Sequence, residues 1–273
     1  MLFIIKLRIQ KFCGSENVYK KILKSIEHRE YPLPKGPWIM MQKWDHLLFM
    51  HWPVSPEIME ARLPPGLKLD TYDGDAWITI IPFKVSAMRL RKMPQLPYLG
   101  SFLELNVRTY VKHNGISGIY FFSLDASKLH VVIGARMATL PYFYARMEMK
   151  KEDSSFYFSS TRKGNESVAF KGSYQPIGAP FYPEKDSLNH WLMERYFLYT
   201  YRSGSLFRGD IHHRRWEIQE AKAKLETQAM TPFLPENVLD TKPILHYARS
   251  KRALFWMIKK VKDDDKRLPP ENL

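Results

Sequence analysis

The stretch Phe102–Val111, FLELNVRTYV, alternates almost without fault. Leu103, Leu105, Val107 and Val111 fall on one side of an extended strand, with Thr109 the one polar residue among them. Glu104, Asn106, Arg108 and Tyr110 fall on the other side, because successive strand side chains point to opposite faces. The pattern predicts a half-buried strand. Its polar face looks either at water or into a cavity, and function turns on which.

Downstream, Asn114-Gly115 is a favoured two-residue hairpin turn. With that turn the register pairs Val111 with Gly118, Thr109 with Tyr120, Val107 with Phe122 and Leu105 with Leu124. On the opposite face it pairs Tyr110 with Ile119, Arg108 with Phe121, Asn106 with Ser123 and Glu104 with Asp125. One face is then apolar on both strands. The other gathers two acids, an amide, a hydroxyl and an arginine beside aromatic rings. A longer loop would shift these pairings. Asp125 or Ser127 also suits the N-cap of a following helix, and Glu104 with Arg108 could equally be a solvated ion pair of small worth.

The remaining chain is rich in short strands. Trp44–Trp52, Leu67–Asp70, Ala76–Val85, Tyr142–Lys150, Ser155–Thr161, Ser167–Tyr174, Arg195–Tyr201 and Ser205–Ile211 all read as extended. Pro82 marks an edge or a bulge in its strand. Helices are expected at Ser55–Leu63, after Asp125 and at Ser187–Arg195. Ala221–Met230 reads as a strand or a short helix. Strands joined by short turns with no βαβ rhythm give a mainly β (α+β) antiparallel barrel or sandwich. Near the end, Leu245, Ala248, Leu254, Phe255, Ile258 and Val261 recur at near-helical spacing among Arg249, Lys251, Arg252, Lys259, Lys260 and Lys262. A basic amphipathic helix is expected there, packed on the domain by its apolar stripe or lying on an anionic surface.

Composition excludes several classes. The net charge is +14, yet the 42 Lys and Arg residues are spread along the chain. They form no nucleic-acid-binding motif, so weak adhesion to polyanions is expected rather than specific nucleic-acid recognition. The single cysteine, Cys13, precludes an internal disulfide and fits a reducing, cytoplasmic setting. The apolar start MLFIIKLRIQ is interrupted by Lys6 and Arg8 and reads as an N-terminal extension, and no apolar run reaches membrane-spanning length. Nucleotide-loop and nucleophile-elbow fingerprints are missing, so no cofactor is expected. No metal is expected either: His212 and His213 are adjacent on a strand, point to opposite faces, and read as histidines satisfying backbone carbonyls.

Several motifs resemble the YqjF-like family of uncharacterised conserved bacterial proteins. These are ILKSIEHREYPLPKGPWIM at 22–40, WDHLLFMHWPV at 44–54, LPPGLKLDTYDGDAWITIIPF at 63–83, ELNVRTYV at 104–111, GIYFFSLDA at 118–126, LPYFYARM at 140–147 and ERYFLYT at 194–200. That family is similar in fold to acetoacetate decarboxylase. The resemblance implies a cone-shaped antiparallel β-barrel with flanking strands over residues 22–240, an extension at 1–21 and the basic helix with a polar tail at 241–273. It also turns Glu104 into the barrel cavity. The decarboxylase forms a Schiff base through a lysine whose amine is freed by desolvation and a second cation. In the matching stretch here Tyr142 and Phe143 stand where the lysine pair would be, and neither forms an imine. The resemblance therefore implies a small-molecule barrel, as an enzyme or a binding protein, for an anionic oxo- or carboxylate-bearing ligand. Glu104 and Tyr142 would be its candidate catalytic groups; Asn106, Arg108, Tyr110, Phe121, Ser123 and Arg136 would line or anchor the ligand. A non-enzymatic protein recruited to anionic surfaces by its C-terminal helix is the alternative, and a homo-oligomer is left open.

Overall fold

The computed structural model describes residues 17–93 and 100–261. The sequence of MLFIIKLRIQ and most of the proline-rich loop before Gly100 lie outside them. Strands dominate: β1 (Met40–Val54), β2 (Lys68–Leu69), β3 (Ala76–Leu90), β4 (Phe102–His113), β5 (Ile116–Ala126), β6 (Tyr142–Glu152), β7 (Ser155–Arg162), β8 (Ala169–Phe181), β9 (Phe197–Arg202), β10 (Ser205–His213), β11 (Ile218–Gln228), β12 (Ile244–Phe255) and β13 (Lys259–Lys260). Helices are short: α1 at 17–24, α2 (Pro56–Glu60), α3 (Leu129–Met137) and α4 (Leu188–Met193). None of these helices is long and apolar enough to cross a membrane.

The strands form one sheet that forks twice. β5 pairs with β4 along one edge. Along its other edge it takes β9 at Ile119–Tyr120 and β6 at Leu124–Ala126. β12 likewise pairs with β1 on one side, and on the other with β11 at His246–Tyr247 and β10 at Ala253–Phe255. Two closed circuits result, and they share the wall β5-β4-β3-β1-β12. One is completed by β9 and β10, the other by β6, β7, β8 and β11.

Each face of the shared wall consequently has its own core. Leu47, Phe49, Trp77, Phe83, Tyr110 and Phe121 pack with Leu198, Ile211 and Trp216 on one side. Leu48, Met50, Trp52, Ile78, Ile80, Leu105 and Val107 pack with Phe156, Phe158, Phe170 and Tyr174 on the other. β4 is buried on both faces from Glu104 through Val111, instead of being the half-buried strand that alternation alone predicts. Sheets closed on both sides lose the exposed face that alternation normally marks.

The Asn114-Gly115 turn forms as expected, with positive φ at both residues (48° and 80°). The register follows the expected pairing from Val111–Gly118 to Arg108–Phe121 and then slips by one at a bulge around Phe122. Beyond it Ser123 faces Val107, Asp125 faces Leu105, and Ala126 takes the place opposite Glu104. Ser123 and Asp125 therefore leave the face of Glu104. Pro82 sits where the β1–β3 ladder is interrupted between Asp45 and Met50, beside His46 at φ 57°, as a residue with no N–H requires.

The C-terminal segment corrects the sequence reading. Residues 244–255 are not a basic helix but strand β12, inside the sheet. Its helix-like spacing arises because β11 stops at Tyr247 and β10 begins at Ala253. Arg249 and Ser250 stand exposed in between, while Ala248, Lys251, Ala253 and Leu254 are buried. The polar tail expected after Val261 lies outside the described residues.

Gly118 is where β5 meets β9 most closely. A Cβ there would lie 2.7 Å from the Phe197 carbonyl oxygen and 2.7 Å from the Tyr199 ring. Backbone cannot yield cheaply, so Gly118→Ala should lower stability by about 2 kcal/mol, read from the urea midpoint; an unchanged midpoint would refute this account of the fork.

Candidate functional site

The face of β4 that carries Glu104, Asn106, Arg108 and Tyr110 points into the enclosure completed by β9 and β10, the same core that holds Phe121 and Tyr142. Glu104 is only 3% exposed, and Tyr142 donates its hydroxyl to Glu104 Oε2 at 3.0 Å. Burial pushes the Glu104 carboxyl up to about 7, against the lowering effect of hydrogen bonds from Tyr142 and Asn106. Burial, with the Glu104 carboxylate next to it, holds the Tyr142 hydroxyl well above the usual phenol range. The pair can therefore exchange a proton with a ligand near neutral pH through Glu104, with Tyr142 as a fixed donor.

Arg108 is nearly buried, and its Nη2 donates to the Leu192 carbonyl at 3.4 Å. Its guanidinium lies 5.8 Å from both the Phe49 and the Tyr110 rings. Its Nε has no protein partner, nor has the Asn106 Oδ1. The Tyr110 hydroxyl also donates to Leu192 O, at 3.1 Å, and meets Thr79 Oγ1 at 2.8 Å. Thr79 Oγ1 in turn lies 2.9 Å from His51 Nδ1. α4 thus closes over this cluster through one backbone carbonyl.

Two expected site residues, Ser123 and Arg136, stand elsewhere, and so does Asp125, expected on the Glu104 face or as a helix cap. Ser123 has moved to the face of Val107 through the bulge, and its hydroxyl lies buried without a protein partner there. Arg136 is exposed near the end of α3 and donates Nε–H to the Tyr142 carbonyl at 2.7 Å, so it braces the start of β6 instead of reaching the enclosure. Asp125 is neither a helix cap nor a partner of Glu104. It takes a two-pronged contact from Arg162 (3.1 and 2.7 Å), whose guanidinium lies 3.9 Å from the Phe143 ring. Because β6 pairs Tyr142 with Leu124 and Phe143 with Asp125, Tyr142 joins the Glu104 face and Phe143 the opposite one.

Sequence reading missed His51, Thr79, His246 and Lys251. His51 shares the parity of Leu47 and Phe49 within WDHLLFMHW, which is the signal that could have placed it inward. Burial keeps the Lys251 amine down at about 8, and it donates to the Arg214 and Arg215 carbonyls at 3.2 and 2.7 Å. His212 and His213 behave as expected, meeting the carbonyls of Ile22 and Arg214. Among the described residues no group of three or more His, Cys, Asp or Glu could hold a metal ion. A separate cleft of about 270 Å³ lies outside α4, lined by Tyr72, Trp191, Arg195, Asp70 and Lys112 among others; it includes none of Glu104, Tyr142 or Arg108.

Residues 41–252 match the model of the family DUF2071, described as an uncharacterized conserved protein. The uncharacterized protein YqjF of Bacillus subtilis is 44% identical over 236 residues, 86% of this chain and 98% of that protein. Several solved structures share the fold. An acetoacetate decarboxylase-like enzyme from Sphingomonas wittichii superposes with TM-score 0.59 at 13% identity, over 83% of this chain and 94% of that one. Acetoacetate decarboxylase from Legionella pneumophila gives 0.59 at 12%, covering 89% and 96%. The enduracididine biosynthesis enzyme MppR, complexed with pyruvate, gives 0.59 at 10%, covering 86% and 94%. At such identities the likeness establishes the architecture alone, and it agrees with the expected barrel.

A glutamic acid whose folded pKa exceeds its unfolded value of 4.5 stabilises the fold below pH 4.5 and loses that contribution as pH rises through about 7. The loss amounts to roughly 3 kcal/mol. The stability of the wild type minus that of Glu104→Gln should fall by about this amount between pH 4 and pH 8, measured by urea unfolding. A difference that stays flat across that range would mean Glu104 is not buried as described.

Proposed function

The chain belongs to the DUF2071 family of uncharacterised conserved proteins, and we propose that it is a small-molecule-binding barrel whose ligand carries a carboxylate or oxo group and is handled without Schiff-base chemistry. The observation that carries this reading is the convergence of Glu104, Tyr142 and Arg108 in one enclosure. A buried arginine whose Nε–H has no protein partner suits a carboxylate, which accepts from two guanidinium nitrogens at once. The neighbouring Glu104–Tyr142 pair supplies a proton donor or acceptor for an oxo group. Tyr110, Phe121 and Phe49 give the aromatic walls common in small-molecule sites.

The absence of imine chemistry rests on Tyr142. The position that the family resemblance equates with the reactive lysine pair carries Tyr142 and Phe143, and Tyr142 is engaged with Glu104. Among the described residues, Lys251 is the buried lysine that could compete for the role. Its Nζ donates to two backbone carbonyls, which favour the charged form against the burial that lowers it to about 8, so at pH 7 most of the amine is protonated and non-nucleophilic. The alternative of recruitment to anionic surfaces loses the helix on which it depended, because residues 244–255 form β12.

Propionate and pyruvate should raise the melting temperature of the wild type and leave that of Arg108→Met unchanged. Equal shifts in both proteins, or none in the wild type, would return Arg108 to a purely structural role. Borohydride treatment in the presence of pyruvate should leave the intact mass of the protein unaltered. A reduced adduct that disappears in Lys251→Met would instead establish an imine-forming lysine.

A further inference from the structure

The contacts between α4 and the wall fix the direction of a chain of hydrogen bonds. A backbone carbonyl only accepts, so the Tyr110 hydroxyl, 3.1 Å from Leu192 O, donates its proton there. The Tyr110 oxygen then accepts from Thr79, whose Oγ1 is 2.8 Å away. With its proton committed to Tyr110, Thr79 Oγ1 must accept from the His51 Nδ1–H at 2.9 Å. His51 is therefore the tautomer protonated on Nδ1, and its Nε2 carries a bare lone pair.

That nitrogen is fully buried and has no protein partner. The ring lies parallel to Phe49 at 6.0 Å and edge-on to His246 at 5.4 Å. His246 offers no competing charge, since burial keeps it down at about 4. Burial, with the Arg108 guanidinium nearby, holds His51 well below the usual imidazole range, so the lone pair stays free at neutral pH. Leaving a buried acceptor unmet is costly, and an apolar side chain would pack the same space at less expense.

His51, Thr79 and Arg108 occupy one cross-strand row, in which His51 pairs with Thr79 and Thr79 with Arg108. Arg108 and His51 both border Phe49, and both connect to Leu192 O, one directly and one through the relay. The row therefore presents an unused guanidinium N–H and an unused imidazole lone pair on the same face. We propose that His51 Nε2 accepts a hydrogen bond from a hydroxyl on the carboxylate ligand, making hydroxy acids the class that this site selects. The inference rests on the carboxylate reading of Arg108 and adds the group that distinguishes a hydroxy acid from a plain one. A site built to accept from a hydroxyl discriminates against the analogue that lacks it, because the buried acceptor is then left unpaired.

Two measurements on the full chain test this. In protein labelled with ¹⁵N-histidine, long-range ¹⁵N–¹H correlations should show the His51 ring protonated on Nδ1 alone from pH 5 to pH 8, and Thr79→Val should lose that single-tautomer pattern. A ring protonated on Nε2, or charged, in the wild type would overturn the proposal. In titrations followed by thermal shift, lactate should bind about fivefold more tightly than propionate, the worth of one neutral hydrogen bond. His51→Phe should erase that preference and keep the response to propionate. Propionate binding that depends on Arg108 with no advantage for lactate would overturn the role of His51 and leave the carboxylate reading standing. Failure of both acids to bind would remove both.

Discussion

The wall β5-β4-β3-β1-β12 is shared by two closed circuits of strands, and this makes every side chain of β4 from Glu104 through Val111 an interior one. An open sheet would let Glu104, Asn106 and Arg108 face water at little cost. Here each must find a partner or leave a buried polar group unmet. Glu104 takes Tyr142, Arg108 takes a carbonyl from α4, and Tyr110 anchors a relay into β3 and β1. Among the atoms left unmet after those pairings are Arg108 Nε, Asn106 Oδ1 and His51 Nε2, together with Trp77 Nε1 and His246 Nδ1. Closure of the barrel thus turns an ordinary amphipathic strand into a chemically equipped surface.

Much of this was legible in the sequence, for local reasons. The alternation of FLELNVRTYV, the Asn114-Gly115 turn and the Pro82 irregularity are each encoded within a few residues, and each is where the pattern places it. The bulge around Phe122 was not legible. It coincides with the point where β5 exchanges β9 for β6 as its neighbour, so it depends on strands far away in the chain. That slip explains why Glu104 and Arg108 kept their face while Ser123 and Asp125 lost theirs. β12 was misread for a related reason. Its partners change between Tyr247 and Ala253, and an interrupted burial pattern imitates helical spacing.

The inward turn of Glu104 illustrates the limit of pattern reading from the other side. Alternation shows that Glu104, Asn106 and Arg108 share a face but carries no information on what covers that face. The family resemblance supplied the cover, and the fold agrees, with 3% exposure at Glu104. Tyr142 reaches the same spot because β6 starts in parallel pairing with β5 at Leu124, which puts its first residue on the Glu104 side. Arg136, only six residues earlier, is carried outward by the end of α3 and touches Tyr142 solely through its backbone. Nearness in sequence to a site residue thus gave no guidance to orientation.

α4 ties these features together through its terminus. The last carbonyls of a helix have no partner within it and must be met from outside. Arg195 meets those of Trp191, through Nε, and of Met193, through its backbone N–H, while Leu192 O is met by Tyr110 and Arg108 from β4. Arg195 is itself held by Asp70 at 2.6 Å and stacked on Trp191 at 4.3 Å, so the helix end is pinned from the outer cleft as well. One unpaired helix carbonyl therefore does two things. It fastens the roof of the enclosure to the polar face of β4, and it sets the direction in which Tyr110, Thr79 and His51 pass their hydrogen bonds. Any displacement of α4 that exposed Arg108 would also release the Tyr110 hydroxyl, so access to the enclosure and the tautomer of His51 are coupled by the same contact.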